Sequence, residues 1–536
     1  MPSLRQLCSA ITSNRFHRRT VASVALAASL LTFAADPASA ARARTTHEAV
    51  GFQLFESPQV NPLVLNEAGT RLYVANTTSN SVSVIDTSTN TLIVTTAVGL
   101  DPVSLAVRPT ANELWVSNHI SDTVSIIDIA PGSPTENRVI DTIQALNANG
   151  VTEFDEPVGI AFTPAGDKAY VALSSRNQIA VINPATRAIT ARLNVRAQDP
   201  RAIAVRNGLL FVAAFEGHNQ TETGVCPTEN NNNAQCTLGL TDVQTFATNP
   251  NIPGEQKNIV VDTSNPDRDL FVFRTDTDIE VTTVSGIGTL LYGLTVSSTG
   301  RVFITQTDAR NSVNGIVSPV ASRQDVNGDG KVNLKDLANR LFTNEIGATT
   351  CTTAGCGAVT ITDLEGASPT PSTALATPYG VAISGDDSTL VVTAMGSSRV
   401  FTVNATTMAI RSRIDLGSLA NGDFGQQMPR GVALMSSAGG APQTAYVLNS
   451  FENTVSVINV SNPDSIAETT QFAVGNDPTP AEVRRGRIAF NSGFASSGGT
   501  FSCGSCHPDG NTDQLMWRIG AECFLTGCVA GEDEPR

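Results

Sequence analysis

The chain has 536 residues, of which 41% are hydrophobic and only 15% charged, and its formal net charge is −15. That length supplies a buried core and more than one domain, and the acidic balance argues against nucleic acid as a partner. Sparse charge with heavy use of Thr, Ser, Asn and Gly fits a mainly β exported protein and excludes a helical bundle or a disordered chain.

Residues 1–40 read as a signal peptide. Arg5, Arg15, Arg18 and Arg19 make a basic start, residues 21–33 an apolar run, and Ala38-Ser39-Ala40 a small-residue cleavage site. Cleavage near Ala40 places the mature chain in the periplasm or outside the cell. The run is short for a bilayer span, and no later stretch is apolar enough, so the mature chain is expected to carry no transmembrane segment.

From about residue 50 to 475 one pattern recurs: a Pro and an apolar strand, an aromatic or apolar strand ending in a small residue and Asn, a polar turn, then a strand ending in Ile-Asp or Ile-Asn. The first copy runs Pro62, Leu72-Tyr73-Val74-Ala75-Asn76 and Val82-Ser83-Val84-Ile85-Asp86. The second runs Pro102, Leu114-Trp115-Val116-Ser117-Asn118 and Val124-Ser125-Ile126-Ile127-Asp128. Equivalent residues lie 42 apart, the length of one four-stranded propeller blade. Further copies start at Pro157 and Pro200. A weaker fifth contains Leu270-Phe271-Val272-Phe273 and Val302-Phe303-Ile304-Thr305, and the last two start at Pro378 and Pro429. Alternation in Val-Ser-Val-Ile marks half-buried strands.

With Tyr73-Val74-Ala75-Asn76 as its signature, the repeat resembles the YVTN family of seven-bladed β-propellers over roughly 400 residues. The resemblance implies a closed ring of about residues 41–475; eight blades are the alternative, because residues 215–300 divide poorly. Residues 50–60 are expected to lend a strand to the last blade, with 469–474 helping to seal the ring. Tyr73, Trp115, Tyr170 and Tyr446 share one slot and read as packing between blades. His119 and His218 follow such strands and read as ordinary surface histidines.

Two insertions interrupt the repeat, at about 219–265 and 315–375. The first holds Cys226 and Cys236, the second Cys351 and Cys356, and each near pair is a disulfide candidate in an oxidising compartment. The second also contains Asp325-Val326-Asn327-Gly328-Asp329-Gly330-Lys331-Val332-Asn333-Leu334-Lys335-Asp336. Oxygen ligands at Asp325, Asn327, Asp329, Asn333 and Asp336, with the carbonyl of Lys331 and a turn at Gly330, match an EF-hand-type calcium loop. The terminal Asp makes it resemble the dockerin type, with residues 334–342 as its helix and calcium as a structural clip.

Residues 476–536 change character. Thr479-Pro480-Ala481-Glu482 reads as a capping box opening a helix to about Asn491. A Gly/Ser loop then leads to Cys503-Gly504-Ser505-Cys506-His507. Two thiols three apart can each form a thioether to one haem, and His507 is placed to ligate its iron. Zinc, with Cys523 and Cys528 completing four ligands, is the rival; otherwise that pair is a third disulfide candidate. Gly486 and Phe490 make a GxxxF that resembles the N-terminal helix of cytochrome c domains, where the Gly admits a crossing helix. The string from Arg485 to Gly510 resembles the first haem segment of the di-haem cytochrome c peroxidase and MauG-like group. Only 29 residues follow His507 and no second CxxCH exists, so the di-haem mechanism does not carry over, and either the haem fold is truncated, or a partner completes its pocket, or the haem is half exposed.

Three functions follow. The preferred one is a periplasmic electron-transfer protein with one haem c, its propeller docking a redox partner protein. A peroxidase-type haem enzyme with an open distal site is the second. A binding or adhesion propeller with a vestigial haem segment is the third.

Overall fold

Strand periodicity organises the chain because alternate side chains face opposite ways and both sides here are apolar. In Arg71–Asn76 the side chains of Tyr73 and Ala75 pack with Leu114, Val116 and Ile127. Leu72 and Val74, on the other face, pack with Tyr446, Leu448 and Val455. Each sheet is thus buried between two others. The computed structural model describes residues 56–217, 221–225, 240–245, 257–262, 267–310, 331–332, 337, 340–416, 427–511, 513, 516–517, 523–524 and 534–535. The expected leader lies outside them. Among the described residues no helix is long and apolar enough to cross a membrane.

Five antiparallel sheets are four-stranded and built from consecutive strands. They begin at Leu63–Leu65, Pro102–Val107, Pro157–Phe162, Pro378–Ile383 and Pro429–Ser436. A nine-stranded sheet lies between the third and fourth of these. It joins a group led by Gln198–Arg206 to a group led by Leu290–Val296 through a single residue pair, Glu216 with Leu290. The innermost strands neighbour one another in a cycle, from Leu63–Leu65 round to Pro429–Ser436 and back to the start. The architecture is mainly β and propeller-like.

The repeat's constant residues have identifiable jobs. Asn76, Asn118 and Asn449 are fully buried, and each amide nitrogen donates to hydroxyls five and seven residues on. The Ser of Val-Ser-Val therefore ties one strand to the end of the previous one. Tyr73, Trp115, Tyr170 and Tyr446 are all buried, each against the following sheet.

Three expectations change. No described residue before Leu63 pairs with the last sheet: Asn61 instead bridges to Ser104. Closure is by packing of Leu63, Val74 and Ile85 on Tyr446 and Val457, with the Ser83 hydroxyl donating to the Val474 carbonyl at 2.6 Å. The weak fifth repeat is divided, since Leu270–Arg274 joins the first group of the large sheet and Arg301–Ala309 the second. Part of the expected 315–375 insertion is drawn into that sheet, because Phe342–Thr352 pairs with Arg301–Ala309 and Thr360–Asp363 adds outside it. Within the other insertion Thr221–Val225, Lys257–Asp262 and Leu240–Thr245 form a small sheet of their own.

Candidate functional site

One end of the innermost strands is built by a staple that repeats from sheet to sheet. Asn80, Asp122 and Asn177 close tight turns at φ near +52°. Their side-chain oxygens accept the backbone N–H of Asp101, Glu156 and Asp199, each at 2.9 Å. These three acids precede Pro102, Pro157 and Pro200. A following proline disfavours the right-handed helical region, and the staple selects left-handed φ values of 63°, 48° and 55°. Carboxylates consequently gather at the mouth of the ring. Asp101 is fully buried, and burial pushes its carboxyl up to about 7.

The C-terminal segment returns to that mouth. Helix α1 (Ala481–Asn491) takes Pro480 as its N-cap, and the expected capping box does not form. Its cap lies one residue later than expected, so Glu482 falls at the second helical position and cannot reach back; the Thr479 N–H goes to Asp477 instead. Arg487 of α1 pairs with Glu56 at 2.6 Å. A single turn, α2 (Cys503–Cys506), follows Ser502, whose backbone N–H donates to the Ser505 hydroxyl at 3.0 Å. The close approach of the two helices is at Gly504, where a Cβ would come within 2.5 Å of Asn491 Oδ1. Gly486, expected to admit a crossing helix, faces open space.

Beyond His507 the chain turns sharply, with Asp509 at φ 50°, and drives that carboxylate between two buried arginines. Asp509 Oδ2 lies 2.6 Å from Arg201 and Oδ1 lies 3.2 Å from Arg430. All three side chains are 5% exposed or less. Arg201 also pairs with Asp199 and stacks 3.5 Å from the centre of the Phe215 ring. Arg430 donates to the Ser57 carbonyl and lies over Tyr379 and Phe451. Burial alone would raise the Asp509 carboxyl, but Arg430 and Arg201 hold it below the ordinary carboxylate range. Two cations between aromatic walls, neutralised by Asp199 and Asp509, form a tight buried lock.

The thiols and imidazole suit haem attachment. Cys503 is exposed, while Cys506 is buried in an apolar cluster with Leu337, Leu341, Phe342 and Phe501. His507 Nδ1 lies 3.1 Å from the Asn511 carbonyl. A carbonyl only accepts, so Nδ1 carries the proton and Nε2 keeps its lone pair for a metal. The Phe490 ring sits 6.5 Å from that imidazole.

The other expected residues are scattered. Cys351 and Cys356 are joined, S–S 1.99 Å, on neighbouring strands of the large sheet. Cys226, Cys236 and Cys528 lie outside the described residues, as do His218 and the calcium-loop residues Asp325, Asn327, Asp329, Asn333 and Asp336. Lys331–Val332 forms a short strand paired with Cys523–Phe524, so the loop meets the tail. Leu337 and Leu341, from the stretch expected to be the loop's helix, belong to the cluster around Cys506. His119, expected at the surface, is 7% exposed.

Sequence reasoning passed over Arg201, Arg430 and Asp509. The signal was present. After the leading Pro the repeat places Leu63, Val103, Val158 and Tyr379, and only Pro200-Arg201 and Pro429-Arg430 put a charge in that slot.

No family model matches the chain, and no curated protein matches it. Among solved structures, Kuenenia stuttgartiensis hydrazine synthase is similar at 18% identity and TM-score 0.51, over 78% of this chain and 98% of that one. KlHsv2 with loop 6CD replaced by a Gly-Ser linker is 9% identical, TM-score 0.42, over 77% of this chain and 100% of its own. At such identity the first likeness speaks to the fold alone.

Proposed function

We propose that this chain is an exported c-type haem protein that transfers electrons, its single haem held against the mouth of a seven-bladed propeller. The observation that carries the reading is the lock of Asp509 between Arg201 and Arg430. It fixes the turn carrying Cys503, Cys506 and His507 to the ring. Leu337, Leu341 and Phe342 pack against Cys506 of the same segment.

A bound haem supplies a one-electron couple at its iron. Cys503 and Cys506 would anchor it by thioethers, and His507, its Nδ1 held by the Asn511 carbonyl, would offer Nε2 as a ligand. Calcium held by Asp325, Asn327, Asp329, Asn333 and Asp336 would clip the insertion, whose Lys331–Val332 pairs with Cys523–Phe524. A redox partner protein docks on the ring or the exposed Cys503 side.

The test is the absorption spectrum of protein matured in a host that attaches c-type haem, recorded with and without peroxide. A redox-active spectrum indifferent to peroxide is expected. High-spin iron that reacts with peroxide would favour the peroxidase reading, and a colourless protein would leave only a binding propeller.

A further inference from the structure

Two of the three staple acids at the mouth have an outlet for their charge. Asp199 pairs with Arg201, and Glu156 receives the hydroxyls of Ser174 and Ser175. Asp101 is the exception: its side chain is wholly buried, and neither carboxyl oxygen meets solvent or a hydrogen-bond partner. Its backbone is pinned, since its N–H goes to Asn80 and its carbonyl accepts the N–H of His119, each at 2.9 Å. A charge so placed is costly, whereas a neutral carboxyl is tolerated.

Part of what covers Asp101 comes from outside the sheets. Beside it lies a cavity of about 40 Å³, room for water alone, walled by Glu56, Ser57, Gln59, Arg430 and Arg487 among others. Glu56 and Ser57 precede the first strand, Arg487 belongs to α1, and the Arg487–Glu56 pair ties the two pieces together at 2.6 Å. The cations facing Asp101 are committed elsewhere. Arg487 is spent on Glu56, and Arg430, of strand Pro429–Ser436, on Asp509 from the turn after α2. His119, at the turn of the next sheet, contributes its backbone N–H. Burial raises the carboxyl, Glu56 and Asp509 add to that, and the nearby Ser57 hydroxyl and Arg487 only partly oppose it.

We propose that residues 56–59 and α1 form a proton-dependent latch over the mouth, and that seating it takes up one proton at Asp101. The seated state holds that proton more tightly than the open one, where water reaches the carboxyl and its ordinary value of 3.8 returns. Opening therefore releases the proton and is favoured as pH rises from 3.8 to about 7, levelling off beyond. The mouth is firmly shut in acid and loosest from neutrality upward. The latch rests on the ring and α1 alone, so it holds whether or not Cys503 and Cys506 carry haem.

The experiment is hydrogen exchange of the full chain between pH 5 and pH 8.5, on wild type and Asp101→Asn. It is read by peptide mass spectrometry and divided by the intrinsic rate at each pH. Asn tolerates the left-handed φ of 63° and keeps both backbone bonds. The readout is Ala481–Asn491, because Glu365, another buried carboxyl, serves the tail at Thr500 through Asn344. In wild type the opening constant of α1 is expected to rise tenfold or more from pH 5 to pH 7 and to flatten above. It should exceed that of the blade strand Thr123–Asp128 throughout. In Asp101→Asn it should be flat. A flat wild-type profile, an equal rise in Asp101→Asn, or one common opening constant for α1 and Thr123–Asp128 would each overturn the proposal. The wild-type profile decides by itself if the variant does not fold.

Discussion

Asp509 ties the C-terminal segment to the ring, because its carboxylate pairs with two almost wholly buried guanidinium groups. Removing one partner of a buried ion pair typically costs about 3–5 kcal/mol. Asp509→Asn is therefore expected to lower the urea midpoint and release the C-terminal segment to protease while the ring survives; a variant as protease-resistant as wild type would refute the lock. Asp101 makes a second residue-scale case. Its carboxyl is raised from 3.8 to about 7 by burial, and Arg487 opposes the shift while Glu56 and Asp509 add to it. A group raised on folding stabilises the native state below its unfolded value, and that contribution is lost as pH climbs through its folded value. Asp101→Asn should thus gain on wild type by about 2–4 kcal/mol between pH 3.8 and about 7, then level off. Parallel stability curves across that range would contradict it. Arg201 and Arg430 were visible as charges in an apolar slot. Their common partner was not, because nothing in a sequence brings residue 509 to residues 201 and 430.

At the scale of the element, the strands were legible and the joints less so. Alternation and the 42-residue spacing mark the strands because a sheet buried on both faces leaves little freedom in side-chain choice. The Asn shared by the first, second and last repeats is explained by its paired hydroxyls. Asn118→Ala loses the bonds to Thr123 and Ser125, 3.0 and 2.9 Å, and is expected to cost about 1–3 kcal/mol in chemical denaturation. An effect under about 0.5 kcal/mol would show the motif to be incidental. The division near residue 270 was misread because an insertion separates Leu209–Glu216 from its partner Leu270–Arg274, and spacing carries no information across such a gap. The helix start was misplaced by one residue: Pro480, with ψ 140°, serves as the cap itself.

For the whole molecule, ring and haem motif form one object. The first and last sheets share a core through Leu72, Ile85, Tyr446 and Val457, and the segment after the last sheet folds back over the mouth. The CxxCH could be read from sequence; its seat could not, since it depends on turns from several sheets meeting at one end. The most direct measurement is the mass of the proteolytic peptide containing Cys503 to His507, taken from protein exported by a host competent for c-type haem attachment. The account predicts a peptide carrying covalently bound haem, lost in Cys503→Ser/Cys506→Ser. An unmodified peptide, with both thiols free or joined to each other, would contradict it.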